Sequence, residues 1–123
     1  MDDDAVDRDA FARLLAEVGP EVMARLLDAF AREANARIAR FAELSQAGSP
    51  LGEGGDLHRE VHSLKSAAAS FGAAALAKRA DALETAVETR QYSHDPAAAA
   101  ELAALFGRFA DAVAAHRRTP ETP

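Results

Sequence analysis

The residues best suited to chemistry lie close together between His62 and Gly72, where the chain reads His-Ser-Leu-Lys-Ser-Ala-Ala-Ala-Ser-Phe-Gly. A neutral imidazole is a good nucleophile near pH 7. Lys65 follows His62 by three residues, so on a helix its ammonium lies one turn later on the same face. The stretch therefore predicts a reactive histidine with a positive charge beside it.

The apolar spacing of residues 56–71 predicts a helix that positions this histidine. At ~100° per residue, one narrow stripe faces the core; it consists of Leu57, Val61, Leu64, Ala68 and Phe71. His58, His62, Lys65 and Ala69 fall on a second stripe beside the first. His62 thus stands at the shoulder of the helix, held by a packed element and open to solvent. Such a position suits a side chain that reacts with another protein.

Four further segments have a helical pattern, and glycine and proline separate them. They are a short helix capped by Asp7 or Asp9 and ended by Gly19-Pro20, and longer helices over about 20–47, 73–91 and 96–116. In the histidine helix, Asp56 is the expected N-cap and Gly72 the expected stop. These patterns predict an all-α fold, an antiparallel up-down four-helix bundle with a short additional N-terminal helix. The expected division is an acidic N-terminal tail over 1–8, the bundle over 9–118 and a C-terminal tail over 119–123.

Charge and composition exclude several classes of function. The chain has 123 residues, a net charge of -6 and no cysteine. Nucleic acid is not an expected partner, because no basic cluster is larger than Arg117-Arg118. No apolar run reaches the ~18 residues of a membrane span, and the acidic start at residues 1–4 is unlike a signal peptide. We expect a monomeric, cytoplasmic protein that does not bind membranes.

Together with residues of the next helix, the histidine stretch resembles the histidine-containing phosphotransfer (HPt) domain of two-component phosphorelays. The family pattern is His-x-Leu/Ile-Lys-Gly, then small residues and a glycine, then a Leu-Glu or Leu-Gln pair on the next helix. This chain matches the pattern at His62 to Lys65, at Gly72 and at Leu83-Glu84, with Leu76 between them. Ser66 stands where the family usually has glycine. The resemblance extends from about residue 9 to about residue 116 and implies a four-helix bundle.

The resemblance also implies a function. His62 would accept a phosphoryl group and donate it, carrying it between a histidine kinase or receiver aspartate and another receiver domain. Lys65 would stabilise the phosphoryl charge, and Glu84 would accept a hydrogen bond from Nδ1–H of His62, leaving Nε2 free to attack. The expected partners are a response-regulator receiver domain, a histidine kinase or both. Mg²⁺ is expected from the receiver, so this chain would bind no cofactor and have no autonomous kinase activity.

The surface expected to meet a receiver consists of His58, Ser66, Ala69 and Gly72. Ser66 and Ala69 have short side chains, so a partner can come close to the histidine there. The serine at position 66 is still small, and we expect it to be tolerated in place of the usual glycine.

Other interpretations of the same residues stay open. His58 and His62 are spaced to share a metal ion, but the sequence shows no third ligand. A zinc site normally has three or four, so no metal site is predicted. The alternative for Lys65 is a plain solvated lysine, and the alternative for Glu84 is an ordinary surface carboxylate. The whole bundle can also dock on a kinase or receiver without accepting phosphate, as an adaptor or inhibitor; labelling of His62 by a phosphorylated receiver separates the two functions.

Overall fold

The computed structural model describes residues 5–118 of the chain, with side chains as far as residue 115. This part of the chain is entirely helical and contains no strand. Its five helices are α1 (Arg8–Val18), α2 (Pro20–Gln46), α3 (Asp56–Phe71), α4 (Ala74–Glu88) and α5 (Pro96–Arg118). The prediction of an all-α fold is confirmed, and the helix bounds differ from those expected by no more than about one turn.

Four of the helices form a closed ring of neighbours. α3 packs against α2 and α4, and α5 also packs against α2 and α4, while α1 lies against α2 and α3. A ring of this kind is expected when amphipathic helices joined by short connections bury their apolar stripes against one another. The site helix α3 therefore lies between α2 and α4, and only the face of α3 that points away from both neighbours is exposed to solvent.

The core is centred on an aromatic cluster that anchors α3. Phe30 of α2 stacks on Phe71 of α3 with ring centroids 4.6 Å apart, and it meets Phe106 and Phe109 of α5 edge-on. The predicted apolar stripe of α3 is buried from Leu57 to Ala68, while Phe71 at its end is half-buried. Because burial of each large apolar side chain contributes ~1.5–3 kcal/mol, the rotation of α3 about its axis is fixed.

Part of the segment predicted as an N-terminal tail packs onto the bundle. Ala5 and Val6 are buried in the core, and the backbone N–H of Asp7 donates to the carbonyl of Gly72 at 2.7 Å. The carboxylate of Asp7 caps α1 by accepting from the N–H of Ala10. Residues 5–7 of the expected acidic tail therefore pack against the bundle. Residues 1–4 and the predicted C-terminal tail at 119–123 lie outside the described residues.

Gly72 ends α3 as predicted, but it is not available to a partner. It has φ of 76°, in the left-handed region that favours glycine. A Cβ on Gly72 would lie 2.7 Å from the backbone oxygen of Asp7. Its assignment to the docking surface is therefore wrong, because the start of α1 covers it.

The N-terminus of α3 also differs from the prediction. Gly55 occupies the N-cap position and makes no side-chain hydrogen bond, whereas Asp56 lies in the first turn. There Asp56 forms an ion pair with Arg59. Its carboxylate still suits the positive end of the helix dipole.

Within residues 5–118, none of the helices is long and apolar enough to cross a membrane.

Candidate functional site

The imidazole of His62 lies on the exposed side of α3, beside a carboxylate of α4. The side chain of His62 is 53% exposed, and that of Glu84 is 5% exposed. Nδ1 of His62 lies 2.6 Å from Oε2 of Glu84. The tight turn at Gly72 makes this contact possible, because it brings α4 back along α3. The structure thus brings together the two residues that the family pattern had paired.

Three cationic or ring-nitrogen donors surround the Glu84 carboxylate. Oε2 faces Nδ1 of His62 and, at 3.3 Å, Nε2 of His58. Oε1 lies 2.5 Å from Nζ of Lys65. A buried carboxylate needs such partners, since an unpaired charge in a low-dielectric site is unstable. Glu84 is therefore the centre of the site, and the prediction that it is an ordinary surface carboxylate does not hold.

These contacts decide the ionisation of Glu84. Burial raises the pKa of its carboxyl, but hydrogen bonds from Lys65 and His62 outweigh burial and hold that pKa below its usual value. The Lys65 ammonium responds in the opposite direction. Its hydrogen bond with Glu84 raises its pKa despite partial burial, with a smaller effect from Asp81. At neutral pH the site contains a carboxylate anion and an ammonium cation.

An ionised Glu84 determines which ring nitrogen of His62 can react. A carboxylate only accepts hydrogen bonds, so Nδ1 of His62 carries the proton and donates it to Oε2. In the neutral ring Nε2 then has the free lone pair. Among the described residues, no polar partner contacts Nε2. In its neutral form, the ring therefore presents an unprotonated Nε2 to whatever approaches α3 from solvent.

Lys65 lies one turn after His62, but its ammonium is engaged by α4. Besides Glu84, its Nζ lies 3.4 Å from Oδ1 of Asp81, and the side chain is 30% exposed. It is therefore not a freely solvated lysine. Its predicted role at a phosphoryl group stays a prediction, because the ammonium is paired with carboxylates here.

His58, predicted to lie on the docking surface, is instead enclosed between α3 and α4. Its side chain is only 12% exposed. Nδ1 accepts the backbone N–H of Gly54 at 3.2 Å, and Nε2 lies 3.0 Å from Oε1 of Glu88. The docking assignment of His58 is wrong for this reason. Nothing in the sequence indicated a role for Gly54, and helical spacing gives only a weak signal for Glu88, one turn after Glu84.

The structure supplies the additional potential metal ligands that the sequence did not show. Ligand atoms of His58, Glu84 and Glu88 all lie within 4.8 Å of one another, whereas the sequence had suggested a pair of His58 and His62. The hydrogen bond from Gly54 makes Nδ1 of His58 an acceptor, so Nε2 of the neutral ring carries a proton. That proton occupies the position that a metal would need. The cluster as it stands is a hydrogen-bond network.

The open surface around His62 is formed by small side chains. Ser66 and Ala69 are exposed, and they follow His62 by one and about two turns. Ser70 is also exposed and donates from its hydroxyl to the carbonyl of Ser66. These three side chains are short, and the His62 side chain itself is 53% exposed. Of the four residues predicted to meet a receiver, Ser66 and Ala69 are therefore the two that the fold leaves accessible.

Comparison with known proteins gives the class to which this fold and site belong. The Hpt domain family model matches residues 25–116, a range that includes His62, Lys65 and Glu84. The chain belongs to the Hpt domain family, which makes histidine phosphotransfer its class of function.

A relative of the chain is the phosphorelay protein LuxU of Vibrio harveyi. It is 32% identical over 106 residues, which cover 86% of this chain and 90% of that protein. No solved structure matches the chain. The resemblance inferred from the histidine stretch is confirmed by the family match and by this relative.

Proposed function

We propose that this protein accepts and donates a phosphoryl group on His62, between a histidine kinase or receiver aspartate and a second receiver domain. The observation that carries the proposal is the 2.6 Å contact between Nδ1 of His62 and Oε2 of Glu84. It turns Nε2 of a half-exposed imidazole into the reactive atom. The proposal includes an antiparallel up-down direction for α2 to α5, which the ring of neighbouring helices supports.

The transfer step is a displacement at phosphorus. The lone pair on Nε2 of His62 attacks the phosphorus of a receiver's aspartyl phosphate. The Nε2–P bond forms as the P–O bond breaks, and the electron pair of that bond stays with the aspartate, which leaves as a carboxylate. The Nδ1 proton remains between the ring and Glu84. Donation to the next receiver is the same step in reverse.

Glu84 stabilises the product of this step. Phosphorylation at Nε2 leaves a positive charge on a ring that still carries Nδ1–H, and the Glu84 carboxylate accepts that proton's hydrogen bond. Charge-assisted hydrogen bonds of this kind are about twice as strong as neutral ones. The same contact therefore orients the free histidine and balances the charge of the phosphorylated one. Catalysis of phosphoryl transfer depends mainly on positioning and charge stabilisation, and both are available here.

Lys65 is the proposed partner of the phosphoryl oxygens. Its ammonium lies one turn from His62 on the same helix and is held by carboxylates of α4. A phosphoryl group on Nε2 brings two negative charges that compete with Asp81 for this ammonium. A compact point charge on a flexible stem can move over such a distance. Lys65 would then contact the phosphoryl group while the two histidines continue to hold Glu84.

The partner completes the chemistry that this chain lacks. We propose that a receiver domain supplies both Mg²⁺ and the aspartate, and that it docks over Ser66 and Ala69. Their short side chains let a receiver surface approach His62 closely. A net charge of -6 disfavours nucleic acid as an alternative partner. We further propose that the protein acts as a monomer in the cytoplasm and binds no cofactor of its own.

Labelling from a phosphorylated receiver tests the function. The wild-type protein should become labelled, and the label should be acid-labile and base-stable, as a phosphoramidate is. His62→Gln should abolish the label with little change in melting temperature, because the side chain is half-exposed and the glutamine amide can still donate to Glu84. The matched control is His94→Gln in the connection between α4 and α5, which should keep the label. Chelation of Mg²⁺ should stop transfer in both labelled proteins.

The same experiment decides between transfer and docking alone. Full labelling of His62→Gln would overturn the assignment of the nucleophile. Stable binding of a receiver without any label on the wild-type protein would instead support the adaptor or inhibitor function.

A further inference from the structure

We propose that His58 is a positioning residue, which holds Glu84 in place and so keeps His62 in its reactive tautomer. The proposal concerns a residue that does not touch the transferred group. Its effect on transfer rests on the proposed function, whereas its effect on the His62 ring can be measured without any partner.

The first step is the protonation of His58 itself. The backbone N–H of Gly54 points at Nδ1 of His58 at 3.2 Å, and an amide N–H can only donate. Nδ1 is therefore the acceptor, and Nε2 of the neutral ring carries the proton. Gly54 has φ of 84°, so the loop before α3 depends on a glycine to present this N–H. The loop backbone thus selects the tautomer of His58.

The second step is the target of that proton. Nε2 of His58 lies 3.0 Å from Oε1 of Glu88 and 3.3 Å from Oε2 of Glu84. A single N–H therefore stands between two carboxylates that are one helical turn apart on α4. The side chain of His58 is 12% exposed, and such partial enclosure strengthens hydrogen bonds. His58 links the two acids and separates their like charges.

The third step connects His58 to the nucleophile. Nδ1–H of His62 donates to Oε2 of Glu84, Nε2–H of His58 lies 3.3 Å from the same oxygen while it donates to Glu88, and Oε1 of Glu84 is paired with Lys65. Without His58, Glu84 loses a polar contact at 3.3 Å and faces Glu88 with no N–H between the two carboxylates. Repulsion then favours a shift of Glu84 away from its position under His62. A free imidazole exchanges between its two tautomers, so the fraction of His62 with Nδ1–H should fall.

Two hydrogen bonds and one close polar contact form a continuous path, in which the link from Nε2 of His58 to Oε2 of Glu84 is the 3.3 Å contact. The path runs from the backbone of Gly54 through His58 and Glu84 to Nδ1 of His62, and it crosses from the loop before α3 to α4 and back to α3. A solvated histidine would form its hydrogen bonds with water and would need no such path. The enclosed position of His58 keeps it from contacting a partner directly. The path gives it a different role, which is to act on His62 through Glu84.

Nitrogen NMR of the histidine rings tests the proposal in the free protein. In the wild type, His58 should be Nε2–H and His62 Nδ1–H. His58→Leu removes the donor but keeps bulk, so His62 should become a mixture of tautomers. His58→Gln retains an N–H donor near the position of Nε2 and should restore most of the Nδ1–H form. His94→Gln is the control and should leave the His62 spectrum unchanged.

Transfer kinetics provide the second readout, compared at equal folded fraction. His58→Leu should slow phosphoryl acceptance by roughly tenfold, less than the ~10²-fold that a 1 Å misplacement of a reacting group can cause. His58→Gln should recover most of the rate. Glu88 is left unchanged throughout, so that the acid facing His58 is the same in every protein.

Several outcomes overturn the proposal. An Nδ1–H tautomer of His58 in the wild type would overturn it, and this measurement needs no variant. Identical tautomer ratios of His62 in the wild type and in His58→Leu would also overturn it. A His58→Gln variant that behaves like His58→Leu would also overturn it, because the donor would then be irrelevant. Failure of the wild type to accept phosphate would overturn the proposed function instead, while the ring spectra would still decide the role of His58.

Discussion

Replacement of Lys65 by methionine tests how Glu84 remains ionised in a buried position. The ammonium of Lys65 lies 2.5 Å from Oε1 of Glu84. Its hydrogen bond is the largest influence that lowers the pKa of the carboxyl, opposing the burial that raises it. Methionine has a similar length but no charge. In the variant, burial is opposed mainly by His62, so the pKa of Glu84 should rise.

The expected loss of stability at pH 7 is about 1.5–2 kcal/mol. A hydrogen bond to a charged group contributes about 1.5–3 kcal/mol. The lower part of that range applies here because Lys65 is 30% exposed, and solvent screens an exposed ammonium. For a domain of this size the loss corresponds to a fall in melting temperature of roughly 5–10 °C. Urea unfolding followed by circular dichroism measures it directly.

The pH dependence gives the prediction its sign. The folded-state pKa of Glu84 is lowered, so in the wild type its stabilising contribution is present above the ordinary carboxyl range near pH 4.3. That contribution is lost as the pH falls through the lowered folded-state value. Lys65→Met should therefore be most destabilising at neutral pH. The difference from wild type should shrink as the pH falls through the lowered folded-state pKa of Glu84, below which the carboxyl is protonated in both proteins.

The matched control is Lys78→Met on α4, because Lys78 is an exposed lysine and its replacement changes the net charge equally. It should alter the free energy of unfolding by no more than about 0.5 kcal/mol. An equal loss in the two variants, or a loss in Lys65→Met that does not depend on pH, would refute the reasoning.

Two further predictions follow from backbone and surface geometry. Gly72→Ala should lower the free energy of unfolding by at least about 1 kcal/mol more than Gly48→Ala. Both glycines have positive φ, but of the two only Gly72 has backbone atoms where a Cβ would lie. Equal losses in the two variants would contradict the tight contact between Gly72 and the start of α1. Ser66→Glu or Ala69→Glu should weaken receiver binding at least about tenfold, which corresponds to about 1.4 kcal/mol, because each adds bulk and negative charge to the open surface around His62. The control is Ala103→Glu, at an exposed position on α5, and it should bind the receiver normally. If titration calorimetry gives unchanged affinity for both Ser66→Glu and Ala69→Glu, the docking surface lies elsewhere.

Local patterns in the sequence were sufficient for the helices and for the position of His62. The apolar spacing of α3 placed Leu57, Val61 and Leu64 in the core, and those residues are buried. Gly19-Pro20 and Gly72 marked helix ends that the structure has. These features were predictable because periodicity and backbone preference act over a few neighbouring residues. The exposed shoulder position of His62 follows from them directly.

Contacts between segments that are distant in the sequence could not be predicted from local patterns. Ala5 and Val6 looked like part of an acidic tail, yet they are buried beside Gly72. Their burial depends on where α1 meets α3, which no short window of sequence encodes.

The network around Glu84 shows the same division most clearly. The family pattern paired Glu84 with His62, but the stripe positions alone made His58 a docking residue. Only the approach of α4 and of the loop at Gly54 encloses His58 between two carboxylates and a backbone N–H. The type and spacing of residues along one helix determine which side chains share a face. The packing of the neighbouring helix determines which of those side chains are solvated and which are held by hydrogen bonds, because burial and hydrogen-bond partners are properties of the assembled fold.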